Sequence, residues 1–540
     1  MRSVMNHSFS QVAHTNIQRS SFDRSCGYKT TFNASYLVPF FIDLAYPSDT
    51  FNLSCNIFVR QATPKVPLMD NLFLDIFFFA VPLRLTWDGF EEFMGANDEI
   101  QPPFVTKSVP MITAPDGTGG DPTGYQTGTL QDYMGLPVGA PGFTHSALPL
   151  RAYYLIRNEW FRSQALEDAL EVDIGDSAQD WDDFELQKSN KRFDYFTSCL
   201  PYLQKGPSVP MPMGTSAPIE YYSASVNTNP VLLRRADTRA TVSGAPDNLQ
   251  VDVASHIEGA GGGPDLMIDP NDTLYTDLSN AVAPALNELR TAAAVQQFYE
   301  QDARGGTRFT EVLYNHFKVV SPDARLQRPE FLCSFTRQII INPVVQTSAS
   351  DTQPTPQGNL AAYGVASISE NGFIKSFVEH SYIIGIMRVR ADLSYQNALD
   401  REWSYESRFD FVWPTFANLG EQAVLVKEID CKGPVDVVPT SNDDDVFGYN
   451  ERYAEARFKT SKITGLFRSN ATTGTPLDQW HAAQEFADQP TLNAAFINED
   501  VPMSRLNAVP SEPDFLFDSY MKINCVRPLP LYSTPGLLRF

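Results

Sequence analysis

The stretch Met69–Arg84, MDNLFLDIFFFAVPLR, carries the longest unbroken apolar run of the chain, with Ile76, Phe77, Phe78 and Phe79 in succession. A helix would accommodate that run only if buried on every side. Its aromatic content, its shortness and the stop at Pro82 point to a β-strand covered on both faces. Such a strand needs a large β-rich body around it. Upstream, Thr50–Arg60 alternates Phe51, Leu53, Cys55, Ile57 and Val59 with polar residues, which is the period of a strand with one buried face. Thr31–Phe41 is also strand-like, and prolines at 47, 64 and 67 mark the intervening turns. Residues Phe51, Leu53, Ile57, Ile76, Phe77, Phe78 and Phe79 are therefore expected in the core of one β body.

Beyond this block, candidate strands recur near the other end of the chain, at Arg337–Val345, Ser381–Arg390, Arg408–Trp413, Ala423–Ile429 and Ser519–Val526. The spacing predicts helices over Ala152–Leu170, Ala281–Arg304, Thr307–Phe317 and Leu477–Ala487. His316 falls on an apolar helical stripe, where a satisfied core histidine is expected. Residues 101–146 lose periodicity and read as surface loop. The 39 prolines and 31 glycines suit a turn-rich, mainly β chain of 540 residues.

The charge is unevenly spread. Net charge is −23, which argues against a surface given over to nucleic acid. Residues 1–29 are locally basic, with Arg2, Arg19, Arg24 and Lys29 against Asp23. This segment reads either as a frayed terminus or as an arm lying along a partner or nucleic acid. Asp237–Asp277 has the opposite character: eight acids including Asp247, Asp252, Glu258, Asp265 and Asp269, one base, and a Gly-rich run at 259–263. Few of its residues can fill a core, so it reads as an excursion into solvent.

The chemistry of catalysis is hard to find. Phosphate-loop, zinc-protease, nucleophile-elbow and EF-hand patterns are all missing from the sequence, and the seven histidines are scattered. Asp443–Asp445 reads as a solvated acidic turn rather than a calcium loop, lacking spaced ligands and a closing Glu. The Arg-rich run at 232–239 suits a phosphate or an acidic neighbour, and equally an ordinary surface. Six cysteines without a CxxC read as reduced thiols. Neither a signal peptide nor a stretch near the ~20 apolar residues of a membrane span is apparent. No cofactor is expected.

Several collinear blocks resemble one family. RSSFDRSCGYKTTF (19–32), FVRQATPKVPLMDNLFLDIFFFAVPLRLTWDGF (58–90), ALPLRAYYLIRNEWFR (147–162), KSFVEHSYIIGIMRVRADLSYQ (375–396) and GYNERYAEARFKTSKITGLFRS (448–469) are similar to the major capsid protein of microviruses, the small icosahedral single-stranded-DNA phages, in their gokushovirus branch. The likeness is poor at about 101–146 and 225–285. The resemblance implies a jelly-roll β-barrel with large loop and helix insertions. Residues 30–100 and 320–540 would form it, with a basic arm at 1–29, inserted loops and helix at 101–224, inserted helices at 286–319, and a surface protrusion at 225–285.

The resemblance further implies a non-enzymatic protein, made in the bacterial host cytoplasm and found in the virion capsid. Identical copies would close an icosahedral shell around circular single-stranded DNA. Phage scaffolding, DNA-binding and pilot proteins, and a host surface receptor, would be its partners. Arg2, Arg19, Arg24 and Lys29 would face DNA. The acidic segment would rise at the threefold axes toward the host. The competing reading is a β-rich secreted carbohydrate-active enzyme or a lectin-like binding protein, whose acids hide a catalytic pair.

Overall fold

The computed structural model describes residues 18–96, 107–177, 179–210, 286–320, 327–345, 347 and 360–532, together with six three-residue strands between 219 and 276. The chain divides into two compact units, residues 1–203 with 305–540, and residues 204–304.

The first unit is built on a nine-stranded antiparallel sheet. Its strands are β1 (Ser20–Asp23), β2 (Cys26–Phe32), β3 (Val38–Ala45), β4 (Thr50–Gln61), β5 (Leu72–Pro82), β6 (Glu330–Val345), β7 (Leu360–Ser376), β8 (Ser381–Ala391) and β9 (Phe515–Arg527). The order is β1–β9–β4–β7–β6–β5–β8–β3, with β2 following β1 along the same edge of β9. The C-terminal strand thus lies between the two N-terminal ones and β4, so hundreds of residues are inserted within one closed core. The sheet curls around that core, giving a mainly β fold of jelly-roll type with large loop and helix insertions.

Side-chain periodicity explains which face each strand buries. In β4 and β9 alternate residues are buried, and Phe51, Leu53, Cys55, Ile57 and Val59 join Phe515, Phe517, Met521 and Ile523 inside the sheet. β5 is covered on both faces. Leu72, Leu74, Ile76 and Phe78 point into the curl, where the Phe78 ring lies 5.6 Å from Phe40, 6.1 Å from Phe41 and 6.0 Å from Phe373. Gly385 sits opposite Phe78 in register, and a Cβ there would come within 3.0 Å of Phe78 and Phe40. The missing side chain makes room for the ring. Phe79 and Val81 point the other way, into a second cluster with Leu150, Tyr153 and Ile156 of helix α1 (Leu148–Ile156). Phe77 also faces outward and is only half-buried, against Phe161 and Arg388.

The sheet's open ends are joined by side chains rather than by a backbone ladder. Arg24, in the β1–β2 turn, reaches Asp43 of β3 at 2.5 Å, and Arg527 at the end of β9 donates to the Leu44 carbonyl at 2.9 Å. Inside the seam, Phe40 of β3 packs against Phe517 of β9 with ring centroids 5.4 Å apart. Because Asp43 is mostly buried and Arg24 about one-third exposed, Arg24→Ala should cost only about 1 kcal/mol. Chemical denaturation should show that loss with an unchanged slope.

Several predicted elements differ from the observed ones, each for a local reason. Thr31–Phe41 breaks into β2 and β3 because Ser35 adopts a left-handed conformation (φ 72°) between them. The helix predicted to reach Leu170 widens after Ile156 and ends at Phe161. Asn158 then binds both the N–H and the carbonyl of Leu170, folding the chain back, and Glu167 accepts from Arg157, Ser163 and Asn190.

Arg408–Trp413 is a bend, not a strand: the Asp410 carboxylate accepts the N–H groups of Glu406 and Ser407, and the Trp413 indole donates to the Arg408 carbonyl. In Ala423–Ile429 the strand stops at Leu425, and one helical turn follows, capped by Glu428. Leu477–Ala487 holds only a short turn at Asp478–Trp480. The rest is extended and tied to the segment before β5, through Met69 N–H to the Trp480 carbonyl and Ala482 N–H to Asp70. Helix α2 is described over Leu286–Arg304, and residues 281–285 of its predicted range lie outside the described residues; α3 (Phe309–Phe317) starts two residues later than predicted. The apolar stripe of α3 is not core, since Phe309 is 75% exposed and Phe317 71%, and His316 is only half-buried.

In the second unit, three short antiparallel pairs are nested: Ile219–Tyr221 with Leu274–Thr276, Leu233–Arg235 with Leu266–Ile268, and Leu249–Val251 with Ile257–Gly259. Each inner pair lies within the loop of the outer one. The pattern is that of a single excursion that goes out and returns along itself.

Candidate assembly surface

The residues proposed for DNA contact part company. Arg2 lies outside the described residues. Arg19 donates to the Ser48 carbonyl at 2.6 Å and to the Thr50 hydroxyl at 2.9 Å, and Arg24 holds the barrel seam. Arg19 is nonetheless exposed, and the head of Lys29 is largely exposed, 3.8 Å from Asp518. Among the acids of the excursion, Glu258 lies on the innermost strand pair, opposite Gln250. Asp247, Asp252, Asp265 and Asp269 lie outside the described residues.

Buried charges within the first unit are structural. Asp75 interrupts the apolar run of β5 and accepts from Arg388 Nε at 3.1 Å, Arg390 Nε at 2.8 Å and the Thr336 hydroxyl at 2.8 Å. Lys191 donates to the Phe496 carbonyl and to Gln484, and burial pushes its pKa down to about 8. Burial likewise raises the pKa of Glu499, near Lys191 and Arg388. For Asp443, burial works upward. The N–H groups of Lys432 and Gly433, the Cys431 thiol and the Gln489 amide outweigh it and hold the carboxyl below its ordinary range. Its oxygens are thus already satisfied by protein donors. Asp444 pairs with Lys427. Among the described residues no group of three or more His, Cys, Asp and Glu is arranged to hold a metal. The six cysteines are unbridged.

What the first unit does present is apolar surface. Residues 403–419 form an exposed aromatic patch: Trp403 is 79% exposed, and Phe409, Phe411, Trp413 and Leu419 are exposed beside it. Arg408 stacks over Phe409 at 4.7 Å. The α3 stripe continues into exposed Val319 and Val320. The far ends of β6 and β7 pair with each other beyond β5, leaving Ile340, Val344, Val345 and Tyr363 exposed. Such clusters of exposed large apolar side chains are typical of surfaces that another protein covers. This reading escapes sequence inspection, because the same residues in the same spacing also suit core helices and strands.

A jelly-roll-type barrel with long insertions, structural rather than catalytic buried charges, and several uncovered apolar faces describes a viral shell subunit. The chain belongs to the phage capsid family described as "Capsid protein (F protein)", whose profile matches residues 10–537. It is 44% identical to "Capsid protein VP1" of Bdellovibrio phage phiMH2K, over 98% of this chain and 97% of that one. It is 42% identical to "Capsid protein VP1" of Chlamydia phage 1, over 99% and 98%. It is 35% identical to "Capsid protein VP1" of Spiroplasma virus 4, over 99% and 98%. These likenesses agree with a major capsid protein of the gokushovirus branch. The family is structural, implying a non-enzymatic role and a place in the virion. Among the described residues no helix is long and apolar enough to cross a membrane.

Proposed function

We propose that many identical copies of this chain close an icosahedral shell around a circular single-stranded DNA genome, with the barrel lying within the shell wall. The observation that carries the proposal is the exposed apolar surface at 403–419, on α3 and at the β6–β7 tip, in a chain related to capsid proteins along its length. Closed symmetry satisfies such unlike patches with one another through heterologous contacts. Individually weak contacts suffice, because removing one subunit from a closed shell breaks several at once. Residues 1–29 face inward toward DNA, with Arg2 and Lys29 the better candidates because Arg19 and Arg24 are engaged by the barrel. Scaffolding, DNA-binding and pilot proteins assist assembly.

The acidic excursion, bounded at 225–285, rises outward at the threefold axes and meets a receptor on the bacterial host. Its nested strand pairs and its composition support this role. Deleting residues 240–275 should leave sedimenting particles intact and reduce adsorption to host cells at least tenfold. Loss of particles would instead make the segment a structural lock between subunits.

A further inference from the structure

A groove of about 640 Å³ lies between the loop that carries residues 122–133 and the barrel. Its walls include Tyr36, Tyr125, Tyr133, Trp181 and Phe184, and Gln126 lies at the same opening. The volume is that of a ligand site rather than a packing defect. Trp181 is only half-buried, and its indole N–H has no hydrogen-bond partner among the described residues. Tyr125, Tyr133 and Phe184 are buried, so the open aromatic surface of the groove is that of the half-buried Tyr36 and Trp181; two such rings beside an indole donor suit a proline-rich extended chain. The rings pack the prolines, and the N–H takes a backbone carbonyl.

The chain itself supplies such a segment. Residues 528–540, PLPLYSTPGLLRF, hold three prolines and a single charged side chain, Arg539. The described part leaves the barrel uncovered, with Leu529 and Leu531 about half exposed and Tyr532 82% exposed. Asp182 and Glu185 line the groove and complement Arg539.

A copy cannot place Pro528–Tyr532 in its own groove. The tail leaves β9 at Arg527, which pairs with Ser20. The groove lies beside Asn33, next to Phe32, which pairs with Phe515 at the other end of β9. Its wall residue Tyr133 also touches Tyr28, opposite Ser519. The separation is therefore eight to twelve strand residues, roughly 26–40 Å, whereas five extended residues span at most about 17 Å. We propose that this groove receives the proline-rich segment Pro528–Tyr532 of a second copy, the part of the tail too short to reach it within one chain. The inference rests on the reading that copies of the chain assemble.

The test uses full-length protein carrying a photo-crosslinking amino acid at Gln126, prepared as a mixture of ¹⁵N-labelled and unlabelled chains. Both the particle fraction and the concentrated soluble fraction are irradiated, and crosslinked peptides are mapped by mass spectrometry. We expect crosslinks to residues 528–540 in mixed-isotope pairs. Trp181→Phe, which keeps the ring and removes the donor, should lower their yield roughly three- to tenfold. Pro528→Ala with Pro530→Ala should do the same without touching the groove. Crosslinks only within one copy, crosslinks to residues 1–17 or 201–218 instead, or none in either fraction would overturn the proposal. Particle formation in the same samples reports separately on the shell: particles without the tail crosslink defeat this inference and leave the shell reading standing.

Discussion

Phe78→Asp should yield no particles and no folded subunit. The side chain is fully buried, ringed by Phe40, Phe41 and Phe373, and faces Gly385 across the strand pair. Removing the ring alone costs about 3–5 kcal/mol. A carboxylate in that place finds no donor among its apolar neighbours and adds a desolvation cost of several kcal/mol more. Together these match the whole stability of an ordinary domain, roughly 5–15 kcal/mol. The expected readouts are insoluble expression and loss of near-ultraviolet circular dichroism in any soluble fraction. Phe78→Leu, which keeps apolar volume, should fold and assemble with reduced stability. Normal particles from Phe78→Asp would mean that the core has been placed wrongly.

Asp75→Ala should destabilise the subunit by about 3–5 kcal/mol, because it leaves two guanidinium groups without the carboxylate that both bind directly. Arg390 and Asp75 are both about 5% exposed or less, and Arg388 is little more. Arg390 stacks on Phe73 at 4.5 Å and Arg388 on Phe77 at 5.6 Å, so neither can swing freely to water. The loss should appear as a lower denaturation midpoint in the purified chain. Replacing all three charges with apolar residues, Asp75→Leu with Arg388→Met and Arg390→Met, should recover most of it, since desolvation and Coulomb attraction nearly offset each other in buried clusters. A mild effect of Asp75→Ala, or no recovery in the triple variant, would show that the cluster is solvated.

The strands of the barrel were legible because their periodicity is local. Phe51 through Val59 and Met521 through Cys525 state their buried face in every second residue, and the run around Phe78 states that both faces are covered. Asp75 was not legible as a buried pairing site. Its partners Arg388 and Arg390 lie more than three hundred positions away, and only the β5–β8 register brings them together. Arg24 shows the same limit: on the chain it is one of several basic residues, and only the curl of the sheet sets it against Asp43. The failures at Arg408–Trp413 and Leu477–Ala487 have another origin. There the apolar residues have strand-like or helix-like spacing, but side-chain-to-backbone bonds from Asp410 and Asp70 hold bends and extended chain instead. The exposed aromatics at 403–419 and on α3 were unreadable as surface because an exposed apolar patch has the composition of a core.

The most direct test of the shell account is an electron cryo-microscopy reconstruction of the particles this chain forms. The predicted result is a closed icosahedral shell with the β1–β9 barrel in the wall, the patches at 403–419 and on α3 covered by neighbouring copies, and residues 225–285 standing outward at the threefold axes. A chain that stays monomeric, or a shell with those patches bare and the acidic excursion turned toward the genome, would contradict it.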